Sequence, residues 1–127
     1  MKVTKTVNGN DVTFAFQGLW SMDFCEEFRT LMKDYVIKPV NITINMDEVI
    51  AMSVTGMKQI TYLRYNLTNS GGSLKLINVD KNIYDKLAKL NYLDKMDVSI
   101  RETEEGSWLW TIYLEKMLQR VLFLMNN

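Results

Sequence analysis

The sequence predicts a single α/β domain built on a mixed, mainly parallel sheet, in the order ββαβαβαβα with an amphipathic helix at the C-terminal end. Three observations carry this reading. A hairpin signal opens the chain, apolar residues then recur alternately at strand and helix spacing, and 127 residues suffice for one core but not two. Val3, Lys5 and Val7, then Val12, Phe14 and Phe16, alternate with polar neighbours around Asn8-Gly9, giving strands near 2-7 and 11-17. Gly18 breaks that pattern, and Asp23 with Glu26 three residues on reads as an N-cap followed by a capping glutamate. Phe24, Cys25, Phe28, Leu31, Met32 and Tyr35 follow at helical spacing, so a first helix runs to about Val36, before the single Pro39.

Val40, Ile42, Ile44 and Met46 alternate with Asn41, Thr43 and Asn45, a strand with one face better buried than the other. After an elbow at Ala51 to Gly56, the residues Met57, Ile60, Leu63 and Leu67 mark a second helix, closed by Asn69-Ser70-Gly71-Gly72. Leu74, Leu76 and Ile77 form the next strand. Asp80 caps a third helix carrying Ile83, Tyr84, Leu87 and Ala88, and Val98 and Ile100 make a short edge strand. Strands alternating with helices need crossover connections, so the sheet beyond the hairpin is expected to be parallel. Residues 1-101 make the domain proper. Residues 102-127 are read as a polar linker and a helix belonging to the same domain, in which Leu109, Ile112, Tyr113, Met117, Leu118, Val121, Leu124 and Met125 form the apolar face and Thr111, Glu115, Lys116, Gln119 and Arg120 the polar stripe. That face is expected to pack on the domain or on a second copy, making a homo-oligomer.

Composition narrows the function. Fifteen basic residues balance fifteen acidic ones, so there is no cationic footprint for nucleic acid. The chain has no histidine and one cysteine, Cys25, which removes histidine-based acid/base and nucleophile systems, histidine and thiolate zinc sites and internal disulfides. No cofactor is expected and no enzyme, since no convergent set of acid, base and nucleophile is visible. No apolar run approaches the roughly 18 residues of a membrane span, and the N-terminal residues lack a signal-peptide stretch, so a cytoplasmic protein without an integral membrane segment is expected.

Ile44-Asn45-Met46-Asp47-Glu48-Val49-Ile50-Ala51-Met52-Ser53-Val54-Thr55-Gly56-Met57 resembles the signature of STAS domains of the anti-sigma factor antagonist type. In that family a buried strand enters an Asp-Ser-Ser/Thr-Gly loop that opens a helix. Phe16-Gln17-Gly18-Leu19, Gly71-Gly72 with Ser73 to Val79, and Ile83 to Leu93 continue the resemblance, in order, over about residues 3-100. It implies a mixed sheet flanked by helices and a bacterial signalling role without catalysis, in which the domain docks a serine-kinase-like anti-sigma factor or another signalling protein. In such antagonists phosphorylation of the serine after the loop aspartate controls partner binding. Aligned on Gly56, the aspartate position is Ser53, the phosphoserine position is Val54, and Thr55 keeps a hydroxyl. Either the switch is lost, or it has moved to Ser53 or Thr55, whose ordinary role at such a boundary is helix capping.

The expected partner-binding residues are therefore Gly18, Trp20, Met22, Ser53, Val54, Thr55, Gly56 and Met57, on two loops; most methionines are read as core filling, with Met22, Met52 and Met57 near the loops as candidate adaptable contacts, and Trp20 is either an interface anchor or packed under the sheet edge. The alternative is a structural or accessory cytoplasmic subunit of a transporter or sensory assembly, a role that some STAS domains serve.

Overall fold

A computed structural model describes residues 1–102 and 104–125, with side chains for all of these except 104–112. The elements are β1 (Lys2–Asn8), β2 (Asp11–Trp20), α1 (Met22–Met32), β3 (Asn41–Met52), α2 (Val54–Asn69), β4 (Ser73–Val79), α3 (Lys81–Lys89), β5 (Asp97–Ile100) and α4 (Glu104–Met125). The strands form one sheet in the order β1-β2-β3-β4-β5, with β1 antiparallel to β2 and the remaining pairs parallel. This is the expected order of elements and the expected sheet.

Register places Val12 beside Ile42 and Leu74, and Phe14 beside Ile44, Leu76 and Val98. Because side chains alternate across a sheet, these rows share one face. They join Phe24, Cys25, Phe28 and Met32 of α1, Met57, Ile60, Leu63 and Leu67 of α2, and Ile83 and Leu87 of α3 in a single core. The helices α1, α2 and α3 therefore cover one side only. The other side carries rows such as Asp11–Asn41–Ser73 and Thr13–Thr43–Lys75–Asp97, exposed or half-buried. Parallel strands are usually buried on both faces. Here the polar alternation already visible in β3 lets water satisfy the second face.

Several boundaries differ from the sequence reading, each for a local reason. The α1 N-cap is Ser21, not Asp23: Ser21 is extended and its side chain accepts from the Phe24 N–H at 3.5 Å, while Asp23 sits in the first turn, where its charge favours the positive helix end. Strand β2 does not end at Gly18 but runs on to Trp20, through a register shift between Gly18 and Leu19 with Gly18 at φ +124°, a value that L side chains rarely adopt. Strand β3 likewise continues to Met52, since Leu19 pairs with Ala51 and Trp20 with Met52. Helix α1 ends at Met32 rather than near Val36. Helix α4 begins at Glu104, inside the segment read as a linker.

The residues Tyr113 to Met125 are all exposed, so this part of α4 does not pack into the domain core. The expectations for Leu109, Thr111 and Ile112 rest on side chains outside those the structure describes. Among the described residues, no helix is long and apolar enough to cross a membrane.

Candidate functional site

Adjacent parallel strands β2 and β3 end at the same edge of the sheet, so the loops that follow them, into α1 and α2, must meet there. The two loops that the sequence singles out are thus brought together. The Ser53 N–H donates to the Trp20 carbonyl at 2.8 Å, and the Gln59 side-chain amide donates to the Cys25 carbonyl at 2.8 Å. Cys25 Sγ lies 3.6 Å from Ser53 Oγ, tying the first turns of the two helices. Ser53 is the N-cap of α2, extended at φ −70° and ψ 155°, with its hydroxyl accepting from the Gly56 N–H at 3.1 Å. Capping therefore employs this hydroxyl, as the residue type suggests.

Of the two fates open to Trp20, interface anchor or packing under the sheet edge, the structure has the second: it is only 1% exposed. Its ring packs edge-on against Phe16 and Phe24, with centroids 5.3 and 5.1 Å away, and tilted against Phe28 at 4.7 Å. These aromatics bind α1 to β2 beneath the loop, favouring the T-shaped contacts that ring quadrupoles prefer. Gly56 sits directly over this tryptophan. A Cβ added there would lie 2.6 Å from Trp20 Nε1 and 2.7 Å from its Cδ1, so α2 can start this close to the indole only with glycine at that position. Met57 and Met52 are buried as well. The structure thus places Trp20, Gly56, Met57 and Met52 beneath the loops: Trp20 and Met52 by strand register on the helix-facing side, and Gly56 and Met57 at the buried start of the capped α2.

What faces water around the same edge is a set of large apolar side chains. Leu19 is 58% exposed, Met22 62%, Ile50 73% and Val54 39%, and Thr55 is exposed beside them. The outward face of α2 prolongs this set, since Val54, Lys58, Tyr62 and Tyr65 fall on the side opposite Ile60, Leu63 and Leu67. Both tyrosines are exposed. Ile50, Tyr62 and Tyr65 are absent from the sequence-based set. The signal that reveals them is placement: large apolar or aromatic residues off the core-facing stripe.

A second unpredicted feature lies along the same sheet edge. Arg101, just after β5, places Nε 3.2 Å from Asp47 Oδ1 and Nη1 3.7 Å from Asp80 Oδ2, and its guanidinium also donates to the carbonyls of Met46 and Asp47. Its backbone N–H donates to the Val79 carbonyl at 2.7 Å. One residue thus cross-links the middle of β3 to the ends of β4 and β5. The arrangement offers contact area, hydroxyls and a helix N-terminus, the equipment for binding.

Comparison with known folds agrees with this geometry. A Thermotoga maritima protein described as an anti-sigma factor antagonist is similar over 83% of this chain and 92% of its own, at 12% identity and TM-score 0.69. The Bacillus cell fate determinant SpoIIAA in its phosphorylated form is similar over 85% of this chain and 99% of its own, at 14% identity and TM-score 0.63. The murine anion transporter Slc26a9 is similar over 80% of this chain and 18% of its own, at 11% identity and TM-score 0.58. At such identities the likeness is one of fold. Comparison with curated protein sequences finds no match. The model of the STAS domain family matches residues 2–106, most of the chain and every strand described above, and the protein therefore belongs to the STAS domain family.

Proposed function

We propose that this STAS domain is a non-catalytic, cytoplasmic regulator that docks a protein partner through the edge formed by Leu19, Met22, Ile50, Val54 and Thr55. The partner is an anti-sigma factor of the serine-kinase type or a related signalling protein. The observation that carries the reading is the four large apolar side chains left 39–73% exposed where two loops are held rigidly by buried Trp20 and capped Ser53. Apolar groups presented on a preorganised frame lose little freedom on binding, so their burial converts efficiently into affinity. The fold shared with an anti-sigma factor antagonist that exists in a phosphorylated form supports the choice of partner.

On this reading Val54 occupies the position of the phosphorylated serine, and the docking surface stays in its unmodified, binding-competent state. Valine offers no hydroxyl, and it adds contact area without a polar group to desolvate. The test uses the partner recovered with the protein from its native cell. Wild type, Val54→Ser and Thr55→Ala are incubated with that partner and ATP, and phosphate is mapped by mass spectrometry. Phosphate is expected on Val54→Ser alone. Phosphate on Ser53 or Thr55 of the wild type, with release of the partner, would mean that the switch has moved. The second reading, an accessory subunit of a transporter, draws on the similarity to the murine anion transporter. Recovery of a membrane transporter instead of a kinase would favour it.

A further inference from the structure

We infer that α4 is a self-association arm, covered in solution by α4 of a second copy of this chain. Leu114, Met117, Leu118, Val121, Leu124 and Met125 recur at spacings of three and four residues and fall on one side of the helix. All six are between 43% and 76% exposed. Glu115, Lys116, Gln119 and Arg120 take the opposite side, with one exposed aromatic, Phe123, among them. The pattern is that of an interface helix, with two positions forming a seam and a third widening it, not that of a solvated surface helix.

Three observations select a second copy as the occupant. The first is area. With Leu122 at the flank, these seven side chains, each 43–76% exposed, leave a continuous, largely apolar strip of several turns in water, the size class of surface that a standard interface of about 800 Å² per partner buries. The second is symmetry: a stripe of aliphatic groups complements itself, so a two-fold pairing of identical helices buries it without any further specificity. The third is charge. The chain carries fifteen basic and fifteen acidic residues, so two copies approach without net repulsion. The polar side of the described helix offers only Lys116 and Arg120 against Glu115, a poor match for the cation-rich face with which an interfacial helix holds an anionic membrane. The family model ends at residue 106, so most of this arm is an addition to the shared domain.

The experiment measures the mass of the full chain by light scattering and sedimentation at rising concentration. It compares wild type, Leu118→Glu/Val121→Glu, and Gln119→Glu as a charge control on the polar side, each checked by circular dichroism and thermal unfolding. Wild type and Gln119→Glu are expected at twice the monomer mass of 14.9 kDa, and the double variant at the monomer mass with the domain's unfolding transition retained. Since Leu118 and Val121 are exposed, the substitutions do not disturb the core. A wild-type monomer at high micromolar concentration would overturn the inference. So would a dimer that survives the double substitution. A wild-type monomer that co-sediments with neutral or anionic phospholipid vesicles would replace the second copy with a membrane surface.

Discussion

Gly56 is the residue on which the geometry of the proposed docking edge most depends. Its missing side chain lets the first turn of α2 lie on the indole of Trp20, which three aromatic neighbours and the strand itself hold in place. Gly56→Ala should therefore lower stability by about 1–3 kcal/mol, the usual cost of overpacking a filled core. Urea unfolding followed by tryptophan fluorescence reads this directly, and an unchanged midpoint would mean that the indole can move aside. Ser53→Ala removes the cap that satisfies the Gly56 N–H and should cost about 0.5–2 kcal/mol. Ser53→Asp restores a capping oxygen and should recover most of that loss. Failure of the aspartate to rescue would mean that Ser53 acts through its contact with Cys25 rather than as a cap.

At the scale of elements, helices and strands were legible where one periodicity ran undisturbed. Val12-Phe14-Phe16, Ile42-Ile44-Met46 and Ile83-Leu87 keep a single period, and β2, β3 and α3 lie where it places them. The ends of β2 and β3 were not legible. There Gly18-Leu19 and Val49-Ile50-Ala51 shift register, so alternation fails although pairing continues to Trp20 and Met52. The same irregularity turns Ile50 outward beside Leu19. The candidate site was legible as two loops but not as an inside and an outside: sequence alone does not distinguish buried Trp20 and Met57 from exposed Met22 and Val54. Arg101 was invisible because its partners, Asp47 within β3 and Asp80 at the start of α3, are distant in sequence. On α2, Tyr62 and Tyr65 stand on the outward face and belong to the proposed contact area. Tyr62→Ala and Tyr65→Ala should each weaken partner binding by roughly three- to thirty-fold, the range of an interface aromatic outside the centre, with thermal stability unchanged. Calorimetric titration against the partner checks this, and full affinity in both variants would confine the contact to the loops.

For the whole molecule, the fold separates two kinds of surface. One face of the sheet receives α1, α2 and α3, and the polar second face is left to water. The edge at the ends of β2 and β3 presents rigid apolar groups, and α4 presents a long aliphatic stripe of its own. The proposed docking edge and the proposed pairing stripe of α4 use different residues, so each can be tested alone. The double variant in α4 should keep its affinity for the partner per chain while losing any gain that two linked copies provide.

The central claim is that the edge around Leu19 and Val54 is where a protein partner docks. The measurement that addresses it most directly is the affinity of the native partner for Leu19→Asp/Val54→Asp, set beside wild type and beside Thr13→Asp on the open polar face of the sheet. Both substituted residues are exposed, so the fold should be retained, and placing two carboxylates in a desolvated contact should lower affinity by at least a hundredfold. Thr13→Asp should bind as wild type does. Equal affinity for wild type and the Leu19→Asp/Val54→Asp variant, with both folded, would contradict the account.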